Sequence, residues 1–139
     1  MTHYTDTTEK QAQIFYNTFF NQGKIVLLNF LKFREKAKYS IESLQPNKAI
    51  TGEEAYDKYL AEISTALNAI NSKILFQGNS GSFLIGPDSE TWDAVILLEH
   101  ESASKFIQFS QSEAYKNAKP HRDAALLDSR LLPIIPREL

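Results

Sequence analysis

The stretch GKIVLLNFLKFR, residues 23–34, decides the fold of this chain. Apolar side chains fill most of it, and three polar residues stand in its second half: Asn29, Lys32 and Arg34. A run of this length rich in Val, Ile, Leu and Phe is typical of a strand that is buried on both faces and therefore central in a sheet. The amide and cationic side chains near its end suit the wall of a pocket.

Helical patterns lie on both sides of this strand. Residues 7–22 predict an N-terminal helix that starts at a threonine cap and stops before Gly23. Thr51 and Glu54 have the spacing of a capping box, and apolar residues recur every three or four positions from Tyr56 to Ile70. The polar connection over residues 35–50 is long, and we expect a mobile flap over a site, a dimer-contacting arm or a tolerated insertion.

The second half of the chain predicts shorter elements. We expect one bent strand over 73–85 with a bulge at its Gly-containing centre, 78–81, and a returning strand over 92–99. Ser102 is the expected cap of a short helix, and Pro120 is the expected first residue of another helix over 121–127. Asp128 and Ser129 are expected to break that helix before a last strand over 130–135.

After the first helix the element order is β-α-β-β-α-β, which predicts an α+β, ferredoxin-like sandwich with a four-stranded antiparallel sheet. Residues 1–139 would form one domain with its core over 24–135. Helices would cover one sheet face only, although the apolar residues of the first strand point to both faces. We therefore expect a homodimer in which a second sheet covers the other face.

Composition excludes several functions. The chain has 139 residues, a formal charge of −2 and no clustered Lys or Arg, which argues against nucleic-acid binding. It contains no cysteine, so thiol catalysis and zinc–thiolate sites are excluded. The polar N-terminus is unlike a secretory signal, and no apolar run approaches the roughly 20 residues that span a bilayer. A cytoplasmic protein without membrane contact is expected.

Several stretches together resemble the DUF1330 family of uncharacterised proteins, within the dimeric α/β-barrel superfamily. The stretches that carry the resemblance are Leu28–Arg34, Gly52–Tyr59, Leu84–Pro87, Trp92–Asp93, Ser112–Tyr115, His121–Leu126 and Asp128–Arg130. The resemblance implies a ferredoxin-like protomer, a dimeric α/β barrel and a pocket between sheet and helices. Members of that superfamily include cofactor-free monooxygenases, lactone isomerases, haem-handling enzymes and ligand-binding regulators, so the fold does not fix the chemistry.

The candidate site residues are the polar and aromatic side chains of these stretches. They are Asn29, Lys32, Arg34, Tyr56, Tyr59, Trp92, Asp93, His121, Arg122, Asp128 and Arg130. We expect His121 to be the acid/base and Arg122 or Arg34 to hold the anionic group of a small organic acid or aromatic compound. The alternative is that Asp93, Arg122, Asp128 and Arg130 form structural ion pairs.

Two function classes stay open at this point. One is a cofactor-independent enzyme that transfers a proton or oxygenates its substrate; the other is a non-catalytic ligand-binding or stress-response dimer. No cofactor and no metal are expected. Haem bound through His100 or His121 is an alternative that only the superfamily analogy supports.

Overall fold

The computed structural model describes residues 2–138, which form an antiparallel sheet with helices packed on it. In chain order the elements are α1 (Glu9–Phe19), β1 (Ile25–Phe33), α2 (Gly52–Ala69), β2 (Lys73–Asn79), β3 (Ala94–His100), α3 (Ala103–Ser110), α4 (Glu113–Ala125) and β4 (Leu126–Ile134). The four strands lie in the order β2-β3-β1-β4, and every neighbouring pair is antiparallel. The predicted α+β, ferredoxin-like arrangement is confirmed, with β1 at a central position. Within the described part of the chain, no helix is both long and apolar enough to span a membrane.

Side-chain caps start the helices where the sequence predicts them. The hydroxyls of Thr8 and Thr51 each accept a hydrogen bond from the backbone N–H three residues on, and both helices carry a full capping box. Ser102 caps α3 in the same way. Asn71 ends the last turn of α2 in the left-handed region, at φ 57°, a conformation that asparagine tolerates better than most residues.

The two faces of β1 meet different surroundings. Ile25, Leu27 and Leu31 point towards the helices and are at most 1% exposed. The alternate residues Leu28 and Phe30 are only half-buried. Period-two alternation along the strand therefore divides an almost continuous apolar run between the helix-covered core and an open sheet face.

The open face carries an apolar row that crosses all four strands. Leu28 of β1 lies opposite Leu97 on one side and Leu132 on the other, and Leu97 lies opposite Phe76. Phe76 is 58% exposed and Leu132 is 53% exposed. These large apolar side chains are arranged as a sheet presents them to a second packing layer.

The prediction for residues 73–85 is wrong in two respects. The strand ends at Asn79, and residues 82–85 are irregular, with Leu84 99% exposed. The register shift lies between Ile74 and Phe76 instead of at the predicted segment 78–81. A β-type run without a pairing partner does not become a strand, because the ladder hydrogen bonds come from the neighbouring strand.

The boundary between the last helix and the last strand is also different from the prediction. Helix α4 continues through Pro120, and β4 begins immediately at Leu126 with Asp128 and Ser129 inside it. Proline costs a helix one backbone hydrogen bond, but α4 buries Ala118, Ala124 and Ala125, which offsets that loss through packing.

The long connection after β1 is tied to the body at its first half. Ala37 N–H donates to the Ile50 carbonyl, and Lys38 N–H donates to the Ala124 carbonyl, both at 2.9 Å. A short 3₁₀ turn follows over Glu42–Leu44. The segment up to Lys38 is therefore a fixed wall beside α4.

Gly52, the first residue of α2, sits where three chain segments meet. Its N–H donates to the Arg34 carbonyl at 3.0 Å, and Arg34 N–H donates to the Ala125 carbonyl at 2.8 Å. A Cβ on Gly52 would lie 2.3 Å from the Arg34 oxygen and 2.6 Å from the Ala125 oxygen. Because both atoms are backbone, neither can rotate away.

We expect Gly52→Ala to lower the free energy of unfolding by about 3 kcal/mol, since the added methyl forces α2 off the end of β1. Chemical denaturation measures the change. Gly81→Ala is the matched control, because a Cβ at Gly81 meets no atom within 4 Å. Equal stability of the two variants would contradict this account of the junction.

Candidate functional site

A partly enclosed cavity of about 80 Å³ lies between the sheet and the helices. Ten aliphatic and aromatic side chains make most of its lining. Its polar lining residues are Asn29, Tyr56, Tyr59, Ser110, Tyr115 and Arg122. One water needs roughly 10–15 Å³ of such volume, so the cavity has room for several waters or one small organic molecule.

Three tyrosines form a connected group on this lining. The rings of Tyr56 and Tyr59 are 5.2 Å apart, and those of Tyr59 and Tyr115 are 6.3 Å apart. Burial raises the pKa of Tyr56 to about 12 and the pKa of Tyr59 well above its ordinary value. Both phenols are thus neutral groups at physiological pH, and each hydroxyl can donate a hydrogen bond.

Arg122 brings a positive charge to the same lining. Its Nη1 donates to the Thr5 carbonyl at 2.7 Å, and it takes part in none of the ion pairs between described residues. Burial by itself would lower its pKa, but the nearby phenols and Asp6 raise the pKa above the ordinary value. The guanidinium is therefore a permanent cation beside neutral phenols.

Asn29 completes the polar side of the cavity from the centre of β1. Its Nδ2 donates weakly to the carbonyls of Leu27 and Ile96, at 3.3 and 3.4 Å. The structure thus brings four of the predicted site residues together: Asn29, Tyr56, Tyr59 and Arg122.

Arg34 and Asp93 lie elsewhere, in an open cleft of about 390 Å³ at the end of β1. Asp93 Oδ2 accepts a hydrogen bond from Phe33 N–H at 2.8 Å, and Glu35 and Glu53 also line the cleft. Asp93 therefore holds the end of the strand, as one would expect of a structural carboxylate.

A third group of predicted site residues lies towards the open sheet face and consists of Arg130, Asp128, Trp92 and Lys32. The Arg130 guanidinium lies 4.9 Å from the ring centres of both Tyr4 and Trp92, and its Nη1 donates to Asp128 Oδ1 at 2.6 Å. Burial would raise the pKa of Asp128, but hydrogen bonds from Tyr4 N–H, Arg130 and Ser129 N–H hold the pKa below its ordinary range. The predicted structural pairing is present for these two residues.

Lys32 extends that third group along β1. Its Nζ donates to the Thr91 hydroxyl at 2.6 Å, so this cation joins the strand to the loop before β3.

His121 lies on a different side of α4 from the cavity. Its Nδ1 is 2.7 Å from the Tyr39 hydroxyl, and its Nε2 is 3.5 Å from Glu62 Oε1. Burial raises the pKa of Tyr39, and Glu62 adds to that rise. The imidazole thus connects the loop after β1 to α2 through a hydroxyl and a carboxylate, and it is not part of the cavity lining.

Tyr115 is a cavity residue that our sequence interpretation did not select. It precedes Arg122 by seven positions on one helix, which is two turns, so the two side chains share a face. That spacing is the signal that would have found it. Tyr39 and Glu62 carried no such signal, because their meeting with His121 depends on loop and helix packing.

Neither haem candidate fits a porphyrin. His100 is completely buried between the rings of Phe106 and Phe109, and its Nδ1 is 2.7 Å from the Ser72 hydroxyl. The two ring nitrogens of His121 face Tyr39 and Glu62. Neither histidine lines the cavity, which at about 80 Å³ is far smaller than a porphyrin.

The strand order and the cavity under the helices define a ferredoxin-like α+β protein with a small sheet–helix cavity. The model of the domain of unknown function DUF1330 matches residues 38–132, and the chain belongs to that family. A protein of unknown function from Rhodopseudomonas palustris is 31% identical, with a TM-score of 0.86 over 99% of this chain and 100% of its own.

More distant structures share the fold alone. A dimeric protein of unknown function with a ferredoxin-like fold from Bacteroides fragilis is 10% identical, with a TM-score of 0.52 over 82% of this chain and 97% of its own. A hydroxynitrile lyase from Passiflora edulis is 14% identical, with a TM-score of 0.53 over 85% and 97% of the two chains. No curated protein matches this sequence.

The burial of His100 predicts acid sensitivity of the fold. Burial lowers the pKa of His100 to about 4 from an ordinary value of 6.5. As the pH falls from 6.5 to 4, His100 becomes protonated in the unfolded chain but stays neutral in the folded chain. The free energy of unfolding should therefore fall, by up to about 1.4 kcal/mol per pH unit.

Denaturation between pH 7 and pH 4.5 measures this slope. His100→Gln should reduce the slope of the free energy of unfolding against pH by up to about 1.4 kcal/mol per pH unit, the contribution of one proton, whatever the change in absolute stability. His3→Gln is the control, since His3 is exposed. Parallel slopes for His100→Gln and the unmodified chain would assign the acid sensitivity to other groups.

Proposed function

We propose that this protein binds a small monocarboxylate with an apolar body in the cavity between sheet and helices. One observation carries the proposal: an arginine that forms no ion pair with a described carboxylate lines an otherwise largely apolar cavity together with three tyrosines. A few polar groups that converge in a mostly apolar cavity are typical of a binding site for a small molecule.

The polarity of the lining selects the ligand class. A carboxylate suits Arg122 because a guanidinium offers parallel N–H donors, and neutral phenols add further donors beside it. The rest of the lining is aliphatic and aromatic, with Ile63, Leu67 and Phe109 among it, which suits a hydrocarbon or aromatic body. A cavity of about 80 Å³ favours a small molecule over a drug-sized one.

Proton transfer by His121 is the second candidate function, and it would make the protein a cofactor-independent enzyme. The chain Tyr39–His121–Glu62 supports it, because a hydroxyl and a carboxylate on the two ring nitrogens can hold one tautomer. Because His121 does not line the cavity, we favour the binding function over proton transfer. The hydroxynitrile lyase from Passiflora edulis is only 14% identical to this chain, so the similarity supports a shared fold and not a shared activity.

We also propose that the protein is a homodimer that pairs the open faces of two sheets. The apolar row with Phe76 and Leu132 supports this, because such a row on one face needs cover. The Bacteroides fragilis protein of the same fold is described as dimeric.

Benzoate tests the ligand class, with the uncharged isostere benzamide as reference. We expect benzoate to bind more tightly than benzamide, and Arg122→Met to weaken benzoate roughly tenfold to a hundredfold, because a charge-assisted hydrogen bond is lost. Titration calorimetry gives both affinities. Arg137→Met is the matched control, since Arg137 is exposed near the end of the chain.

Two results would reject the binding proposal: no benzoate binding by the unmodified chain, or equal losses in the Arg122 and Arg137 variants. His121→Ala separates the two candidate functions. Retained benzoate affinity fits a cavity whose lining excludes His121, whereas a loss as large as that of Arg122→Met would place the imidazole in the site.

Phe76→Glu tests the dimer, because it places a charge at the β2 end of the apolar row. The unmodified chain should scatter light as a particle of about twice 15.8 kDa, and the variant as a monomer. Ile14→Glu is the control; Ile14 is 55% exposed on α1, away from the sheet. A monomeric unmodified chain at micromolar concentration, or a dimeric Phe76→Glu variant, would rule out this interface.

A further inference from the structure

We propose that residues 4–6, here called the N-terminal strap, are part of the carboxylate site because they fix the Arg122 guanidinium. The strap precedes α1 in sequence and lies against α4 and β4. This inference rests on the proposed function of the cavity and names a segment on which that function depends.

The strap is held by its own main chain. Tyr4 N–H donates to Asp128 Oδ1 at 2.8 Å, and the Tyr4 carbonyl accepts from both the N–H and the hydroxyl of Ser129, at 2.8 and 2.7 Å. These three bonds hold Tyr4 against the start of β4. The position of the next residue, Thr5, follows from them.

Side chains on either end of the strap add to this anchoring. The Tyr4 ring stacks on the Arg130 guanidinium, whose other contact is the Trp92 ring. Asp6 forms an ion pair with Lys119 of α4 at 3.2 Å. The strap is therefore pinned before and after Thr5, and the Thr5 carbonyl is a fixed acceptor.

That carbonyl holds one nitrogen of a cavity-lining residue. Arg122 Nη1 donates to it at 2.7 Å, which leaves the other N–H donors of the guanidinium for a carboxylate. A free arginine side chain must lose rotamer freedom when it binds an anion, and the strap removes that loss in advance. The strap should therefore raise the affinity for anionic ligands and leave the affinity for neutral ligands unchanged.

Deletion of residues 2–6 with Met1 retained tests the strap. We expect a roughly tenfold loss of benzoate affinity by calorimetry and an unchanged affinity for benzamide, because one immobilised side chain becomes free. In the Arg122→Met background the same deletion should have no further effect on benzoate, since the strap acts through Arg122. Deletion of residues 136–139 is the control for a shortened terminus, because residues 136–138 are exposed and irregular.

Trp92, the one tryptophan of the chain, reports on strap release independently of any ligand. Its fluorescence should change when the deletion removes the Tyr4 ring from Arg130, and not in the 136–139 deletion. Tyr4→Pro is the point variant for the case that the deletion unfolds the protein, because it removes the N–H bonded to Asp128 as well as the ring on Arg130. It should weaken benzoate in the same direction while leaving benzamide unchanged.

The outcomes separate the two proposals. If the unmodified chain binds no benzoate, the carboxylate function fails and the strap's role in it falls as well. If the unmodified chain binds benzoate and a folded strap variant binds it equally well, the strap proposal alone is wrong. Equal losses for benzoate and benzamide, or a further loss in the Arg122→Met background, would also overturn it, because the strap would then act by general stabilisation.

Discussion

The close approach at Gly52 is the constraint on which the rest of the structure depends. There the first turn of α2 meets the backbone at the end of β1 and the junction of α4 with β4, without room for a side chain. This contact sets α2 beside α4 at a fixed height over the sheet. Tyr56 and Tyr59, one and two turns into α2, consequently face Arg122 of α4 across the cavity. A tightly packed backbone junction thus positions a polar site that it does not itself contain.

The cavity combines two kinds of free energy that normally oppose each other. Apolar residues around Ile63 and Leu67 stabilise the core, while phenol and guanidinium groups cost free energy wherever they leave water without partners. Burial keeps Tyr56 and Tyr59 neutral, while Arg122 keeps its charge beside them. The result is a cation with neutral donors around it, an arrangement that is complementary to an anion. A core selected for stability alone would have closed this space with aliphatic side chains.

Much of the fold could be predicted from the sequence because strong local signals agree with the global arrangement. The capping box at Thr51 and the apolar run of β1 both act within a few residues, and both are confirmed. The failures arise where tertiary contacts decide: helix α4 passes through Pro120 because its alanine face is buried, and residues 82–85 lack a strand to pair with. For the site, strand parity separates Asn29 on the core face from Lys32 on the other, but the partners of Arg34 depend on loops that no periodicity describes.

The positions of His121 and Arg122 show that neighbouring residues in a motif need not belong to one site. Successive residues of an α-helix project about 100° apart, so two adjacent side chains of α4 can face different surroundings. Arg122 points to the sheet side, in the register of Tyr115 two turns earlier, while His121 points to Tyr39 and Glu62. The imidazole and the guanidinium thus lie on different sides of one helix. Arg122 lines the cavity, whereas His121 contacts the loop after β1 through Tyr39.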